Sequence, residues 1–471
     1  MRRKETYEER HPIYENVQIL DAGSEGKAVG KIEGKVVFVP YAMPGDIADI
    51  QIIKKNKGYL EGKVIRFRSR PKEVRTPFCG HFGMCGGCKW QHMPYELQLQ
   101  YKQKQVMDNL TRIGKVEAEE ARPILGSIRE THYRNKLEFT FSSRKWLMEK
   151  PEQGVRLPNT NGLGFHMPGM FDRIIDLEKC YLQPEPSDEI RMGIRAFALR
   201  NDWSFRDARA QEGFLRNLIL RNNRQGHWMV ILVFSKNDKA KIQAMMEYIE
   251  GNFPMVKSLM YVVNPKKNDD ISDLEVVLHA GQDYLEETLG GLKFRIGPKS
   301  FFQTNTNQAE TLYGVVKEFA ALTGNEVVYD LYSGTGTIGL TLAGEAKKVI
   351  GIEYVAGAVE DAQLNAAANG ITNATFIQGD MARAFSEELL SEHGRPDVVV
   401  LDPPRAGLAP RVLESLLDTR PPRIVYVSCN PATQARDLSF LCDLYHLRCV
   451  QPVDMFPQTH HVENVALLEL M

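Results

Sequence analysis

The chain has 471 residues, of which 43% are hydrophobic and 25% charged, so composition predicts a soluble globular protein of two or three domains. No stretch approaches the roughly 18 apolar residues of a membrane span, and the first residues are charged where an export signal would be apolar, which predicts a cytoplasmic location. The formal net charge of −1 gives no sign of a nucleic-acid-binding protein, so any such contact must depend on local basic surface.

The first predicted element is a small β-barrel between Val17 and about residue 70. Short β-branched runs such as Val36-Val37-Phe38-Val39 alternate there with glycines that mark turns. A run of charge is usually only a solvated face. On a small barrel a phosphate-binding surface becomes the better interpretation if the rest of the chain acts on nucleic acid. Nine cations face only two acids over residues 51–75: Lys54, Lys55, Lys57, Lys63, Arg66, Arg68, Arg70, Lys72 and Arg75.

A group of cysteines follows the barrel. Cys79, Cys85 and Cys88 stand close together among glycines that let a loop wrap around a ligand, and Cys180 lies far downstream. In a reducing compartment such a group binds metal more often than it forms disulfides. Zinc and an iron–sulfur cluster both accept four thiolates, so the spacing leaves these two open.

The middle of the chain predicts one helix and then a mixed α+β region. Apolar residues recur at helical intervals from Tyr95 to about Ile113, which indicates an amphipathic helix packed on a core. Over residues 130–296 we predict strands at 137–141 and 229–234 and a helix from Asp238 to Gly251. The run Tyr133-Arg134-Asn135-Lys136, taken alone, is typical of a solvated strand start.

From residue 325 onward strands and helices alternate, as in a doubly wound α/β sheet. The first strand leads into Tyr332-Ser333-Gly334-Thr335-Gly336, a turn that can approach a ligand closely before a helix begins. The next strand ends at Glu353, near the offset at which an acidic side chain binds ribose hydroxyls. The turn lacks the Gly-Lys-Ser/Thr of a P-loop, which argues against a nucleoside triphosphate.

Three later strand ends carry reactive or charged groups. The strand at 374–377 leads to Asp380, the strand at 398–401 to Asp402-Pro403-Pro404-Arg405, and the strand at 424–426 to Cys429. Ligands of open α/β sheets bind at the carboxyl ends of the strands, so these groups should share one crevice. A lone cysteine at a strand end is more often a core residue. Here the charged groups at the neighbouring strand ends favour a nucleophile.

Four motifs in order resemble the RNA uracil-5-methyltransferases, which use S-adenosylmethionine. They are residues 330–339, 401–405, 428–431 and 456–463. The resemblance implies that Cys429 adds to carbon 6 of a uracil, so that carbon 5 can accept a methyl group. It implies that Glu463 then removes the proton from carbon 5, with His460 and His461 as rival bases.

The resemblance also assigns ligand contacts. Phe301 would stand beside the flipped base, Arg134 would contact RNA, and Arg405 would touch the base or a phosphate unless it forms a surface ion pair. Six residues would bind S-adenosylmethionine: Gln303, Tyr332, Gly334, Glu353, Asp380 and Asp402.

The N-terminal features are most similar to those of the large-subunit ribosomal-RNA members of the family. Those members carry a TRAM domain and a [4Fe–4S] cluster, so the resemblance implies that Cys79, Cys85, Cys88 and Cys180 bind such a cluster. With all four ligand positions filled, we expect a structural or RNA-positioning role for it. The arrangement also differs from that of radical enzymes.

The expected architecture is a multidomain α/β protein in three parts. Residues 1–75 would form a TRAM-like β-barrel that binds RNA, residues 76–296 a central α+β domain with the cluster, and residues 297–471 a Rossmann-like class I methyltransferase domain. The expected activity is methylation of carbon 5 of a uridine in 23S ribosomal RNA. The alternatives are a tRNA substrate and a non-catalytic iron–sulfur protein that binds RNA, and no obligate protein partner is evident.

Overall fold

The computed structural model describes residues 11–147 and 160–471. The charged N-terminal residues on which the expected lack of an export signal depends lie outside the described residues. Within the described ranges, no helix combines the length and the apolar character needed to cross a bilayer.

The N-terminal strands close into a five-stranded barrel in the order β1-β2-β3-β5-β4, which confirms the predicted barrel. Burial alternates along β3, so that Val37 and Val39 fill the barrel while Val36 and Phe38 lie on its outer face. The strands are β1 (Ile13–Ala22), β2 (Lys27–Ile32), β3 (Lys35–Pro40), β4 (Ile47–Lys55) and β5 (Tyr59–Ser69).

Two of the nine cations predicted as a basic surface stabilise the barrel itself. Arg68 lies 2.7 Å from a carboxylate oxygen of Asp49, and Arg70 donates to Asp46 at 2.9 Å. Both aspartates are buried, so each needs a cationic partner. A phosphate-binding surface on this barrel would therefore have to use the remaining cations.

After the barrel come helix α1 (Tyr95–Asn109) and the short strand β6 (Glu120–Ala121). The central region is a seven-stranded sheet with the order β13-β12-β11-β10-β7-β8-β9. Its middle strands, β10 and β11, are almost wholly buried. Burial explains the unbroken apolar run of β11, whereas β10 also buries Arg216, Asn217 and Arg221. The elements are β7 (Lys136–Ser142), β8 (Gly162–His166), β9 (Ile174–Asp176), α2 (Ser187–Arg200), β10 (Leu215–Asn222), β11 (Trp228–Phe234), α3 (Lys239–Asn252), β12 (Val256–Val263) and β13 (Val277–Gly281).

The C-terminal region contains a hairpin and an eight-stranded sheet. The hairpin consists of β14 (Leu285–Leu289) and β15 (Leu292–Ile296). The other elements are α4 (Thr306–Ala320), β16 (Val327–Leu331), α5 (Thr337–Ala343), β17 (Lys348–Glu353), α6 (Ala356–Ala368), β18 (Ala374–Gln378), α7 (Glu387–His393), β19 (Val398–Leu401), α8 (Pro410–Thr419), β20 (Arg423–Ser428), α9 (Pro431–Leu441), β21 (Tyr445–Val453) and β22 (Glu463–Leu470).

The strand order of the large sheet is β18-β17-β16-β19-β20-β22-β21-β6. The five strands from β18 to β20 are parallel, and β22 pairs antiparallel with both β20 and β21. Helices between the parallel strands make the sheet doubly wound, as predicted. The carboxyl ends of β16, β17, β19 and β20 therefore meet at one edge.

The division of the chain at residues 75 and 296 stays a prediction, but the sheets show which segments pack together. Strand β6 pairs with β21, and the hairpin bonds to α6 through Arg295 N and Asn365 Oδ1 at 2.8 Å. Of the segments before residue 296, β6 thus completes the C-terminal sheet and the hairpin packs on one of its helices. A cut at residue 296 would expose its edge.

Candidate active site

Cys429 lies between the last residue of β20 and the first turn of α9. Asn430 caps this helix by accepting a hydrogen bond from the Ala432 amide at 3.2 Å. Pro431 suits the first position of the helix because it has no backbone N–H that would lack a partner there. The half-buried Cys429 lines a cavity of about 720 Å³. The strand-to-helix turn thus presents the thiol to open space.

Glu463 reaches the same point from the neighbouring strand. The antiparallel ladder pairs Ser428 of β20 with Asn464 of β22, so the residues just beyond this pair, Cys429 and Glu463, are neighbours. Glu463 is buried, and its burial raises the pKa of the carboxyl group to about 8. The charge of Asp402 raises that pKa further, whereas Arg405 lowers it.

The electrostatics of the cleft favour protonated groups. Burial raises the pKa of the Cys429 thiol to about 11, the charges of Glu463 and Asp402 act in the same direction, and Arg405 opposes them. Burial also raises the pKa of Asp402 to about 7. Because three acidic groups share one desolvated space, the cleft holds protons at neutral pH and Arg405 is the cation that offsets them.

The two histidines named as rival bases lie in the same cavity. The rings of His460 and His461 are 4.1 Å apart, and both residues line the cavity beside Cys429. Burial lowers the pKa of His460 to about 3 and that of His461 to about 4. Both imidazoles are therefore neutral at physiological pH and are weak bases.

A buried ion pair fixes the loop that carries these histidines, and sequence reasoning missed it. Lys102 of α1 contacts Asp454 at 2.6 Å and donates to the Phe456 carbonyl at 3.0 Å. Gln98 of the same helix donates to the Gln458 side chain and accepts from the Gln458 amide. Helix α1 thus holds the segment between β21 and Glu463.

The glycine-rich turn after β16 forms a cradle next to Glu353. Gly334 has a φ of 54° and Gly336 a φ of 78°, which a residue with a side chain rarely adopts. The Gly334 amide donates to Glu353 at 3.1 Å, and space beside Gly334 is open. The buried Ser333 hydroxyl has no hydrogen-bond partner in the described part of the chain, so the turn can accept a polar ligand.

Asp330, which the sequence reading left without a role, holds helix α5, which follows this turn. One of its carboxylate oxygens accepts from the Gly339 amide at 2.9 Å, and the other has no partner among the described residues. Its complete burial raises its pKa to about 7. Its position before the glycines was the only signal in the sequence.

Tyr332 and Asp380 flank the same edge of the sheet. Tyr332 has a left-handed backbone, with a φ of 63°, and burial raises its pKa to about 12, with a further contribution from Asp380. Asp380 is exposed and accepts from the Ala382 amide at 3.0 Å. The predicted contacts of these two residues with the cofactor stay predictions.

The structure separates the two adjacent phenylalanines. Phe301 is 66% exposed, whereas Phe302 is 3% exposed and belongs to the core. The Phe301 carbonyl accepts from the Thr335 hydroxyl at 3.4 Å, which places this residue beside the glycine-rich turn. Gln303 is buried two residues later, and Arg134 lies 5.7 Å from the ring of Phe456.

The four cysteines predicted as cluster ligands come together in the central region. Burial raises the pKa of Cys88 to about 12, and the charges of Cys85, Cys180 and Cys79 raise it further. Burial raises the pKa of Cys180 to about 11. No group of three His, Cys, Asp or Glu side chains within the described ranges is arranged to hold a metal ion.

The comparison with known families agrees with this geometry. Residues 274–471 match the family described as tRNA (Uracil-5-)-methyltransferase, and residues 14–65 match the TRAM domain. An uncharacterized RNA methyltransferase of Bacteroides thetaiotaomicron is 51% identical over 95% of this chain and 99% of its own length. A protein with the same description from Porphyromonas gingivalis is 50% identical over 96% of this chain and 99% of its own.

A solved structure covers almost the whole chain. The tRNA (uracil-54, C5)-methyltransferase of Pyrococcus abyssi, in complex with S-adenosyl-L-homocysteine, matches 97% of this chain and 100% of its own with a TM-score of 0.75 and 28% identity. The fold and the cleft thus define an S-adenosylmethionine-dependent RNA methyltransferase of class I. Within that class, the chain belongs to the RNA uracil-5-methyltransferase family and carries a TRAM domain.

Proposed function

We propose that the protein methylates carbon 5 of a uridine in 23S ribosomal RNA through a covalent bond between Cys429 and carbon 6 of the uracil. The observation that carries this proposal is the ladder that brings Cys429 and Glu463 together at an open cavity. A nucleophile and a carboxylate base are the two protein groups that the reaction needs.

The chemistry follows from the electron demand of the uracil ring. Carbon 5 is a poor nucleophile in the resting ring, and addition of the Cys429 thiolate at carbon 6 converts the ring to an enolate. Carbon 5 of the enolate then accepts the methyl group. The Glu463 carboxylate removes the remaining proton from carbon 5, and the returning electron pair expels the thiolate to regenerate Cys429.

The raised pKa values determine which base suits this reaction. A catalytic base works best when its pKa lies near the working pH. Glu463, with a pKa of about 8, meets this condition, whereas His460 and His461, at about 3 and 4, would release little free energy on accepting a proton. We therefore assign the base to Glu463.

S-adenosylmethionine supplies the methyl group as an electrophile on a sulfonium ion. The cradle at Gly334 is open, and the unpartnered Ser333 hydroxyl marks a place for a polar ligand. We assign the ribose to Glu353, the methionine end to Tyr332 and Asp402, and the adenine to Asp380. Gln303 would close the site from the loop that also carries Phe301, beside the target base.

We further propose that Cys79, Cys85, Cys88 and Cys180 hold a [4Fe–4S] cluster. Each thiolate of such a cluster binds a different iron atom, so the four sulfurs stand farther apart than the ligands of a single ion. The buried pair Cys88 and Cys180 shares a hydrophobic cluster with Cys85 and with aromatic residues, which suits a soft, desolvated donor set. Iron and acid-labile sulfide in anaerobically purified protein would test this assignment.

RNA in which uridine is replaced by 5-fluorouridine tests the covalent step. Fluorine cannot leave carbon 5 as a proton would, so the adduct with Cys429 should persist through denaturing electrophoresis. The Cys429→Ala protein should form none. A wild-type protein that forms no adduct, or an alanine variant that still methylates, would contradict the mechanism.

A second candidate substrate is tRNA. The Pyrococcus abyssi relative is by its description a tRNA (uracil-54, C5)-methyltransferase, and it covers nearly all of this chain. Unmodified 23S ribosomal RNA and unmodified tRNA transcripts, offered separately with labelled S-adenosylmethionine, distinguish the two. Label in 5-methyluridine of the 23S transcript alone supports the proposal, and label in tRNA alone replaces it.

A further inference from the structure

The cavity at Cys429 extends well beyond the catalytic groups. Cavities of roughly 300–1,000 Å³ hold whole drug-sized ligands. A cavity of about 720 Å³ therefore has room for more than one pyrimidine ring. Cys429, Arg405 and the two histidines line one end, while residues of the barrel and of helix α1 line the other.

The barrel wall of this cavity presents an apolar and aromatic surface, beside which Asp21 and Glu25 also line the cavity. Val29, Val36 and Phe38 line it from the outer face of β2 and β3, where Val29 and Phe38 stand directly opposite each other. All three are only half-buried, although the barrel core lies on the other face of the same strands. The ring of Tyr59 meets Phe38 edge-on with centroids 5.5 Å apart, so it supports the ring of Phe38 without stacking on it.

The charges around this wall favour a base over a phosphate. Lys104 of α1 is engaged by Asp21 at 2.7 Å and by Asp108 at 2.8 Å, so its charge is neutralised locally. None of the nine cations of residues 51–75, all of which the structure describes, lines the cavity. Arg112, which also lines the cavity, has an exposed side chain but pairs with Asp108 at 3.5 Å, so its charge is offset in the same way.

We propose that this wall is a second nucleotide subsite, in which an unpaired RNA nucleotide next to the target uridine stacks its base on Phe38. The inference rests on the proposed function, because the same RNA strand must place its uridine at Cys429. Aromatic side chains bind unstacked bases of single-stranded RNA through their π faces, with little dependence on sequence. The barrel thereby fixes the strand on the far side of the catalytic cleft.

Fluorescein-labelled hexauridylate and uridine monophosphate are the probes that test this subsite. Because stacking on one aromatic ring contributes strongly to single-strand affinity, Phe38→Ala and Phe38→Leu should weaken hexauridylate binding about five- to fifty-fold in fluorescence anisotropy. Phe38→Trp should retain the affinity. Ile65→Ala is the matched control, since Ile65 is an exposed apolar residue of β5 on the same barrel and should change binding less than twofold.

Competition by uridine monophosphate locates the effect. A mononucleotide can occupy the Cys429 end alone, so its affinity should be equal in the wild type and in Phe38→Leu. Unchanged hexauridylate binding in both Phe38→Ala and Phe38→Leu would overturn the subsite. An equal loss of mononucleotide and hexauridylate would also overturn it, because Phe38 would then act on the target uridine itself.

Methyl transfer is measured separately, so that the two proposals fail independently. If neither 23S ribosomal RNA nor tRNA receives a methyl group while hexauridylate binding still depends on Phe38, the proposed function fails and the subsite stands. If methylation proceeds and binding is indifferent to Phe38, the subsite fails and the function stands.

Discussion

Cys429 and the group of Cys79, Cys85, Cys88 and Cys180 are both desolvated thiols, and burial raises the pKa of Cys429, Cys88 and Cys180 to about 11 or above. Their neighbours differ. Cys429 stands singly at an open cavity beside carboxyl groups and Arg405. In the other group, burial and the charges of neighbouring cysteines raise the pKa of Cys79, Cys88 and Cys180. Cys85, Cys88 and Cys180 pack in a hydrophobic cluster.

The difference shows how the surroundings assign a role to the same functional group. Buried thiols that lie close together become thiolates at the same time only when a cationic group binds them all, as a metal cluster does. A single thiol with Arg405 nearby can ionise when a substrate displaces water and reorganises the adjacent carboxyl groups. The first arrangement favours a ligand set and the second a nucleophile.

The largest difference between the two sites should appear when one thiol is removed from each. Cys429→Ala should lower methyl transfer by about 10⁴-fold or more, because the nucleophile has no substitute in the cleft. Cys88→Ala should lose bound iron and melt at a lower temperature, while its folded fraction keeps methyl transfer within about tenfold of the wild type. Initial rates normalised to folded protein provide the measurement, and a reversed order of the two losses would exchange the roles of the two groups.

The next test concerns the base. Glu463→Gln removes the proton acceptor but keeps the size of the side chain, so turnover should fall about 10²- to 10⁴-fold. Since addition and methylation precede the lost step, a covalent complex with ordinary uridine RNA should accumulate on a denaturing gel. Glu414→Gln, an exposed change on α8, is the control and should turn over normally. Loss of turnover without an adduct would assign Glu463 to an earlier step.

A smaller effect is expected from Arg405, which lowers the pKa of both Cys429 and Glu463. In Arg405→Gln both pKa values should rise, so the rising limb of kcat/KM against pH should move toward alkaline pH. Methyl transfer at neutral pH should then fall several-fold and recover at higher pH. The exposed Arg411→Gln should leave the profile in place, and a uniform loss at every pH would mean that Arg405 contacts RNA instead.

The sequence predicted most of the catalytic sheet because its signals are local. Apolar strand runs that end in Gly334, Glu353, Asp402 and Cys429 specify both the strands and the edge at which they meet. Lys102 shows the limit, because a lysine among polar residues predicts a solvated helix face. Here it is completely buried against Asp454, a partner far along the chain that no local pattern reveals. The pairing of β6 with β21 is equally non-local.

The smallest expected effect is on the pH dependence of stability, which should differ between the catalytic cleft and the group of four cysteines. Glu463 has a pKa of about 8 in the folded protein against a reference value of 4.5, so the folded state keeps a proton that the unfolded state releases. Protonated Glu463 therefore contributes its full share to the free energy of unfolding below about pH 4. This contribution is lost as the pH rises through 8. Glutamine cannot ionise, so Glu463→Gln should gain stability relative to the wild type between pH 5 and pH 9.

Thermal melts at these two pH values measure that gain, expected to be on the order of 3 °C. Asp402→Asn should show the same trend at lower pH, because the folded pKa of Asp402 is about 7. Cys88→Ala should show almost none below pH 9, because a cysteine of the unfolded chain begins to ionise only near its reference pKa of 9.0. A melting difference for Glu463→Gln that is independent of pH would mean that the carboxyl group is ionised in the resting cleft. In that case the charge of Arg405 would lower the pKa of Glu463 by more than burial raises it. The difference between the two thiol sites would then arise mainly from Arg405, which lies near Cys429.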